Sequence, residues 1–400
     1  MTLRFSLGVF LSVAVCAYLV PSFLGNPASV LTFNQMGIAV ILAVSYNLLI
    51  GNTGLLSLGH AAYFGFGGFF AVHVVRYVSA GDSLLALPFI PVFGGLAGLL
   101  GAVILGSFTT KRGGLIFAML SFAMAELVLA SSSVFGRFYG GSIDRTEIPT
   151  FFGLDFQSDI LISYMVWSWV LICLLVAAFF NASPLGKLTK AAGQNAERVE
   201  YIGYSQHKLK YVTFCLAGFL AGIAGALFAL TYEFVTVEII SLKQSWLILQ
   251  MVFIGGIGTF WGPPLGAILL TLLFSGFRDL TDIWNLYAGL VFLAIVLFAP
   301  HGLTGIVQTL YRKSRASDLP RTLKHFGILT LASASMILGF VGLCEMIYAV
   351  RNPWLFTGDL SLFWIQVNPQ ALFPWLLFSA LFIAGLLVFR RTYRPPEAEL

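Results

Sequence analysis

The sequence predicts an all-α, polytopic membrane protein, and three observations carry that prediction. Of 400 residues, 58% are hydrophobic and only 10% are charged, where a soluble domain carries roughly a quarter charged residues. So few charges cannot clothe a water-facing surface. The apolar residues gather into long runs, close to the roughly 20 residues that one membrane-crossing helix needs. The charges fall between the runs, so the net charge of +5 reads as basic loops held on the inner side of a membrane. It does not read as a nucleic-acid-binding surface.

Apolar runs set against Gly, Pro and charged breakers give segments at 5–24, 36–50, 60–78, 84–108, 113–134, 160–182, 211–231, 245–260, 263–277, 283–300, 326–349 and 371–389. The first follows Arg4 and reads as an uncleaved span. Its run is long for a signal peptide, and no A-x-A cleavage site follows. Segments 36–50, 245–260 and 263–277 are short for a span. Short Gly- or Pro-bearing pieces read as half-helices or re-entrant segments, which persist only where protein or water covers the backbone.

Alternating sides from an inner N-terminus places both termini inside. Of the 22 Lys and Arg, all but Arg76, Arg137, Arg145, Lys243, Arg278 and Arg351 then lie on the inner side, as positive-inside bias requires. The basic, polar stretch 301–325, broken by Pro320, divides the chain. Residues 1–305 form a core of about ten segments, 306–325 a basic linker, and 326–400 a two-helix appendage. The connection inside the appendage, RNPWLFTGDLSLFWIQVNPQ, suits an outer interfacial loop by its Trp and Pro content. Glu345, near the outer end of its span, reads as interfacial.

Four stretches stand out. The longest strongly polar interval of the first three hundred residues is Ser183 to Lys210, which carries Lys187, Lys190, Arg198, Lys208 and Lys210. Within it, Val199 and Ile202 lie three apart, on one face of a short helix, and Gly203 is placed to end that helix. Gly51 to His73 holds glycines at 51, 54, 59, 65, 67 and 68, which permit close backbone approach. Asn47, Ser57 and His60 are polar groups in that apolar text, and such groups face a bundle interior or an aqueous path. For His60, a bond to a neighbouring helix and a place on a path remain equal alternatives.

The third stretch, GGIGTFWGPPLGAILL from Gly255 to Leu270, interrupts a helix. A turn is expected at Pro263 and Pro264, and close packing at the glycines. Two interrupted apolar segments, one per half, point to a transport path. The fourth, Thr109 to Ala130, places Glu126 about fourteen residues, or roughly 20 Å of helix, beyond Lys111 and Arg112. A carboxyl at that depth is costly unless paired, neutral or wet.

Signatures of catalysis are missing. There is no GxxxxGK[ST], HExxH or GxSxG and no His/Cys cluster, so neither a metal nor another cofactor is expected. Cys16, Cys173, Cys215 and Cys344 lie apart inside apolar runs and read as small buried hydrophobes. Any energy source lies in a gradient or in another subunit.

Taken together, NLLIGNTGLLSLGHAAYFGFGGF (47–69), KRGGLIFAMLSFAMAEL (111–127), ERVEYIGYSQHKLKYVTF (197–214), AGFLAGIAGALFA (217–229) and VFIGGIGTFWGPPLGAILL (252–270) resemble the membrane permeases of the branched-chain amino-acid ABC importers, the LivM type. The likeness covers roughly 36–305. It implies an ABC importer permease fold in a bacterial inner membrane, with a second permease subunit, two cytoplasmic ATPase subunits and a periplasmic solute-binding protein as partners. It makes 183–210 a coupling loop, with Arg198, Glu200, Gly203 and Tyr204 as its coupling residues. It leaves Asn47, Ser57, His60 and Glu126 as pathway candidates. The two helices beyond Thr304 depart from the family pattern. Two other readings stay open: a permease of the same family for urea or short amides, and an ion-coupled transporter with Glu126 and His60 as a relay.

Overall fold

The computed structural model describes residues 10, 13, 15, 17–23, 25–79, 87–145, 157–278, 283–298, 302–305, 319–352, 360–362 and 365–392. Arg4, Cys16, most of the basic linker and the start of the appendage loop lie outside the described residues. The chain is all-α with several membrane-length helices. Among the described residues, eight helices are long and apolar enough to cross a membrane.

Helix α1 runs Pro27–Thr53, well beyond the expected 36–50. Asn34 and Gln35 interrupt the apolar run but not the helix. Asn26 caps it, accepting from the Ala28 amide at 3.1 Å, and Pro27 occupies the first turn, where its missing N–H costs nothing. Helices α2 (Ala61–Ser79), α3 (Ile90–Thr109), α4 (Gly114–Ser131) and α5 (Asp159–Ala182) follow.

The interval 183–210 is largely helical. It folds into α6 (Pro184–Gln194), α7 (Ala196–Tyr201) and the first turn of α8 (Gln206–Tyr232). Ser183 caps α6 through Gly186 N at 3.1 Å, and Asn195 caps α7 through Arg198 N at 3.1 Å. Oxygen-bearing caps of this kind satisfy first-turn amides.

Helix α8 is the hub of the first compact unit, which comprises residues 1–280 and 291–306. It packs on α1, α2 and α3. Gly222 lets three helices meet: a β-carbon there would overlap the Gly94 carbonyl, and one at Gly67 would overlap the Gly222 carbonyl. Small residues at such crossings let backbones approach and gain dispersion contact where lipid removes the hydrophobic drive.

Shorter helices complete the unit: α9 (Leu242–Gly255), α10 (Gly262–Arg278) and part of α11 (Trp284–Phe298). The turn between α9 and α10 falls at 256–261, with Gly256 at φ 112° and Gly258 at φ 74°. Pro263 and Pro264 therefore open α10 rather than form the turn. A two-residue ladder pairs β1 (Gly141–Ser142) with β2 (Phe234–Val235) at the far ends of α4 and α8.

The second unit comprises residues 281–290 and 307–400. Its helices α12 (Leu319–Arg351) and α13 (Leu372–Thr392) pack together, with the Phe378 ring against Gly342. A small hairpin, β3 (Leu360–Leu362) with β4 (Ile365–Val367), joins them. Glu345 is buried against protein: it is 9% exposed and accepts from the Tyr287 hydroxyl at 2.9 Å, because a buried carboxyl needs a donor.

Candidate functional site

The break between α1 and α2 is the chemical centre of the first unit. Helix α1 ends at Gly54, which takes φ 69° and closes onto the Ile50 carbonyl. Residues 54–60 are irregular, and α2 restarts at Ala61. Irregular backbone inside a membrane bundle must find partners, and two serines supply them. Ser121 of α4 accepts from the Leu58 amide at 3.0 Å, and Ser245 of α9 accepts from the Ala61 amide at 3.2 Å. Helix α4 approaches so closely that a β-carbon on Gly59 would overlap the Ser121 carbonyl.

His60, 1% exposed, sits at this break, edge-on to Tyr46 and Tyr63. Its Nε2 lies 2.8 Å from Ser45 Oγ, and that hydroxyl is 2.6 Å from the Ala217 carbonyl. A carbonyl only accepts, so the single Ser45 proton goes to Ala217. Ser45 must then accept from His60, which fixes the ring proton on Nε2. Nδ1 is left with a lone pair and no partner among the described residues. Ser57 Oγ, fully buried in the same break, likewise has none.

Asn47 is placed differently from a path-lining group. Its Oδ1 accepts from Gly258 N at 3.0 Å, and its Nδ2 donates to the Thr259 carbonyl at 3.0 Å. It clamps the α9–α10 turn onto α1, with a β-carbon on Gly51 falling 2.9 Å from the Gly258 Cα. The two Gly-rich stretches singled out in the sequence therefore meet here. Thr304 holds the same turn through the Gly255 carbonyl at 3.1 Å.

Glu126 is half-buried on α4, one residue past Ala125, which packs near Gly59. Among the described residues it makes no hydrogen bond or ion pair, and nothing joins it to His60. Ser45, Ser121 and Ser245 did not stand out in the sequence. A lone serine in an apolar run carries no signal until its backbone partner is known.

The polar helices attach directly below this centre. Gly193 of α6 lies against α1, where a β-carbon would overlap the Asn52 carbonyl. Asn52 Nδ2 donates to Asn181 Oδ1 at 2.8 Å. Ala192, Val199 and Leu209 form a small apolar cluster of their own. Helix α7 ends in a Schellman motif: Tyr204 N bonds the Val199 carbonyl at 3.2 Å and Gly203 N the Glu200 carbonyl at 2.9 Å. Gly203 takes the φ of 89° that this closure demands.

Val199 and Ile202 do not share a face. Val199 is buried, while Ile202 lies past the helix end and is 67% exposed. Tyr201 and Tyr204 are exposed beside it, and Arg198 and Glu200 also face outward.

Interrupted apolar helices around a buried polar break, with a polar helical segment at one end, are the parts of a solute-carrying membrane permease. The family described as "Branched-chain amino acid transport system / permease component" matches residues 29–300, and the chain belongs to it. It is 26% identical over 293 residues to the high-affinity branched-chain amino acid transport system permease protein LivM of Escherichia coli K12, covering 66% of this chain and 67% of that one. It is 25% identical over 323 residues to the probable branched-chain amino acid transport permease protein LivM of Methanocaldococcus jannaschii, covering 67% and 90%. An autoinducer 2 import system permease protein, LsrC of Photorhabdus laumondii, is 30% identical over 145 residues, covering 34% and 44%. No solved structure matches the chain.

Proposed function

We propose that this chain forms the translocation path of an ABC importer for branched-chain or other small amino acids and takes its energy from separate ATPase subunits. In this reading 183–210 faces the cytoplasm of a bacterial cell. One of two ATPase subunits docks there, a second permease completes the path, and a periplasmic binding protein delivers the solute. The names of the LivM relatives favour amino acids as cargo, while that of LsrC points to autoinducer 2.

The observation that carries the reading is a continuous mechanical connection. The exposed tip Tyr201, Ile202 and Tyr204 is held in one shape by the Gly203 closure. Helix α6 bears on Asn52 through Gly193, and Asn52 stands two residues before Gly54, where α1 breaks. A displacement of the tip is thereby delivered to the 54–60 break, at which Ser57 Oγ and His60 Nδ1 have no partner among the described residues. ATP binding shifts the conformational equilibrium only as far as the two states differ in affinity for the closed ATPase pair.

The test is uptake of L-leucine into proteoliposomes that contain this chain and its co-expressed partners. ATP-dependent accumulation that stops when the ATPase is omitted is expected. Accumulation driven by a proton or sodium gradient without ATP would overturn the reading.

A further inference from the structure

At the end of the first unit that carries the 183–210 segment, positive charge gathers around the start of α4. Lys111 and Arg112 immediately precede this helix and are exposed. Lys210 of α8 reaches the same place from a neighbouring helix: a β-carbon on Gly113, the N-cap of α4, would lie 3.4 Å from its Nζ. Two contacts tie α8 to this corner. Thr110 Oγ1 lies 3.4 Å from His207 Nδ1, and the Tyr211 hydroxyl donates to the Val103 carbonyl of α3 at 3.0 Å.

This is an unfavourable place for a cation. Lys210 is 9% exposed and, among the described residues, makes no hydrogen bond or ion pair. Glu200 is the acid whose charge reaches it, without closing an ion pair. The N-terminus of a helix is itself equivalent to about +0.5 charge, so the ammonium faces like charge. A mostly buried charge is retained where a partner of opposite sign meets it.

The helix start is equally unsatisfied. Gly113 has no side chain to cap α4, and among the described residues no carbonyl outside the helix accepts from its first-turn amides. Gly113 and Gly114 are exposed. Apart from the Lys210 ammonium, nothing from elsewhere in the chain comes within 4 Å of a β-carbon on either. Bare amides and an unpaired cation thus border the same open space, an arrangement that takes a phosphate.

The surface beyond selects the source of that phosphate. From its start α4 continues as an apolar face, with Leu115 74%, Ile116 55% and Met119 62% exposed. Free phosphate makes no use of such a face, whereas an acyl chain lies along it. Basic sites at the membrane boundary take anionic headgroups, and the surplus of positive charge here repels the ammonium of a zwitterionic one.

We propose that the start of α4 binds the phosphate of an anionic phospholipid, held by Lys210 and the first-turn amides, with its acyl chains along Leu115, Ile116 and Met119. The site is independent of the cargo and of the energy source.

The test is lipid retention by the full chain purified in detergent, read by native mass spectrometry. The probes are phosphatidylglycerol and phosphatidylcholine with the same acyl chains. Preferential retention of phosphatidylglycerol is expected, and excess inorganic phosphate should not displace it. Lys210→Met removes the ammonium and keeps the stem. It should weaken phosphatidylglycerol retention about fivefold, the worth of one cation near an anionic surface. Gly113→Asp sets a carboxylate against the amides and Lys210 from an exposed position. It should abolish the preference and raise the thermal unfolding midpoint. Lys187→Gln/Lys190→Gln, which removes two exposed cations of α6, should retain the lipid as the wild type does.

Equal retention of the two lipids by the wild type would overturn the proposal, as would an undiminished preference in both Lys210→Met and Gly113→Asp. A loss in the α6 double variant as large as in Lys210→Met would reduce the effect to general charge attraction and overturn the site. Displacement by inorganic phosphate would overturn the lipid as its source.

Discussion

Gly203 shows how one residue sets the shape of a surface. The Schellman closure needs a left-handed residue at this position, where an L side chain costs roughly 1–2 kcal/mol. There is open space around a β-carbon there, so the penalty is conformational and not steric. Gly203→Val should leave the protein in the membrane and reduce ATP-dependent uptake several-fold by displacing Tyr204. Unchanged uptake would remove the closure from the coupling path. Asn47 makes a different point. Asn47→Ala strands a backbone donor and a backbone acceptor in the α9–α10 turn, at about 1–3 kcal/mol for each unpaired group. The expected result is a lowered thermal unfolding midpoint in detergent. Glu126→Gln tests the remaining pathway candidate. Near-normal uptake across pH is expected, because among the described residues no hydrogen-bonded connection leads from Glu126 to the 54–60 break.

At the scale of elements, the decisive contact is α6 on the end of α1. Gly193→Val would place its side chain against the Asn52 carbonyl and lever α6 away from α1. Uptake should fall while the ATPase still co-purifies, since the exposed tip is untouched; loss of ATPase binding instead would place docking in α6 itself. Periodicity made most membrane helices legible in the sequence, because lipid enforces long apolar runs. It failed where polar residues are satisfied at a distance. Asn34 and Gln35 hid the first part of α1, and the cap Ser183 hid α6 inside an apparent loop. The roles of Asn47, Ser45 and Ser121 were beyond reach for the same reason. Each partner lies far along the chain, at Gly258, Ala217 and Leu58, and spacing carries no trace of such pairs.

At the scale of the whole molecule, the first unit holds the polar 54–60 break inside a bundle organised on α8. Gly222 is the packing centre of that bundle, so Gly222→Val should abolish monodisperse behaviour in detergent rather than alter transport selectively. The exposed apolar faces of α4 and α13 (Leu115, Ile116 and Met119 on one, Leu372, Phe373 and Leu376 on the other) suit lipid or a second permease chain. The proposed function puts a separate ATPase at the α7 tip. Affinity purification from detergent-solubilised membranes, comparing the wild-type chain with the Tyr201→Ser/Ile202→Ser double variant, tests it most directly. A P-loop ATPase and a second permease should co-purify with the wild type, and the variant should keep the permease and lose the ATPase. A wild-type chain that purifies alone and carries solute without ATP would contradict it.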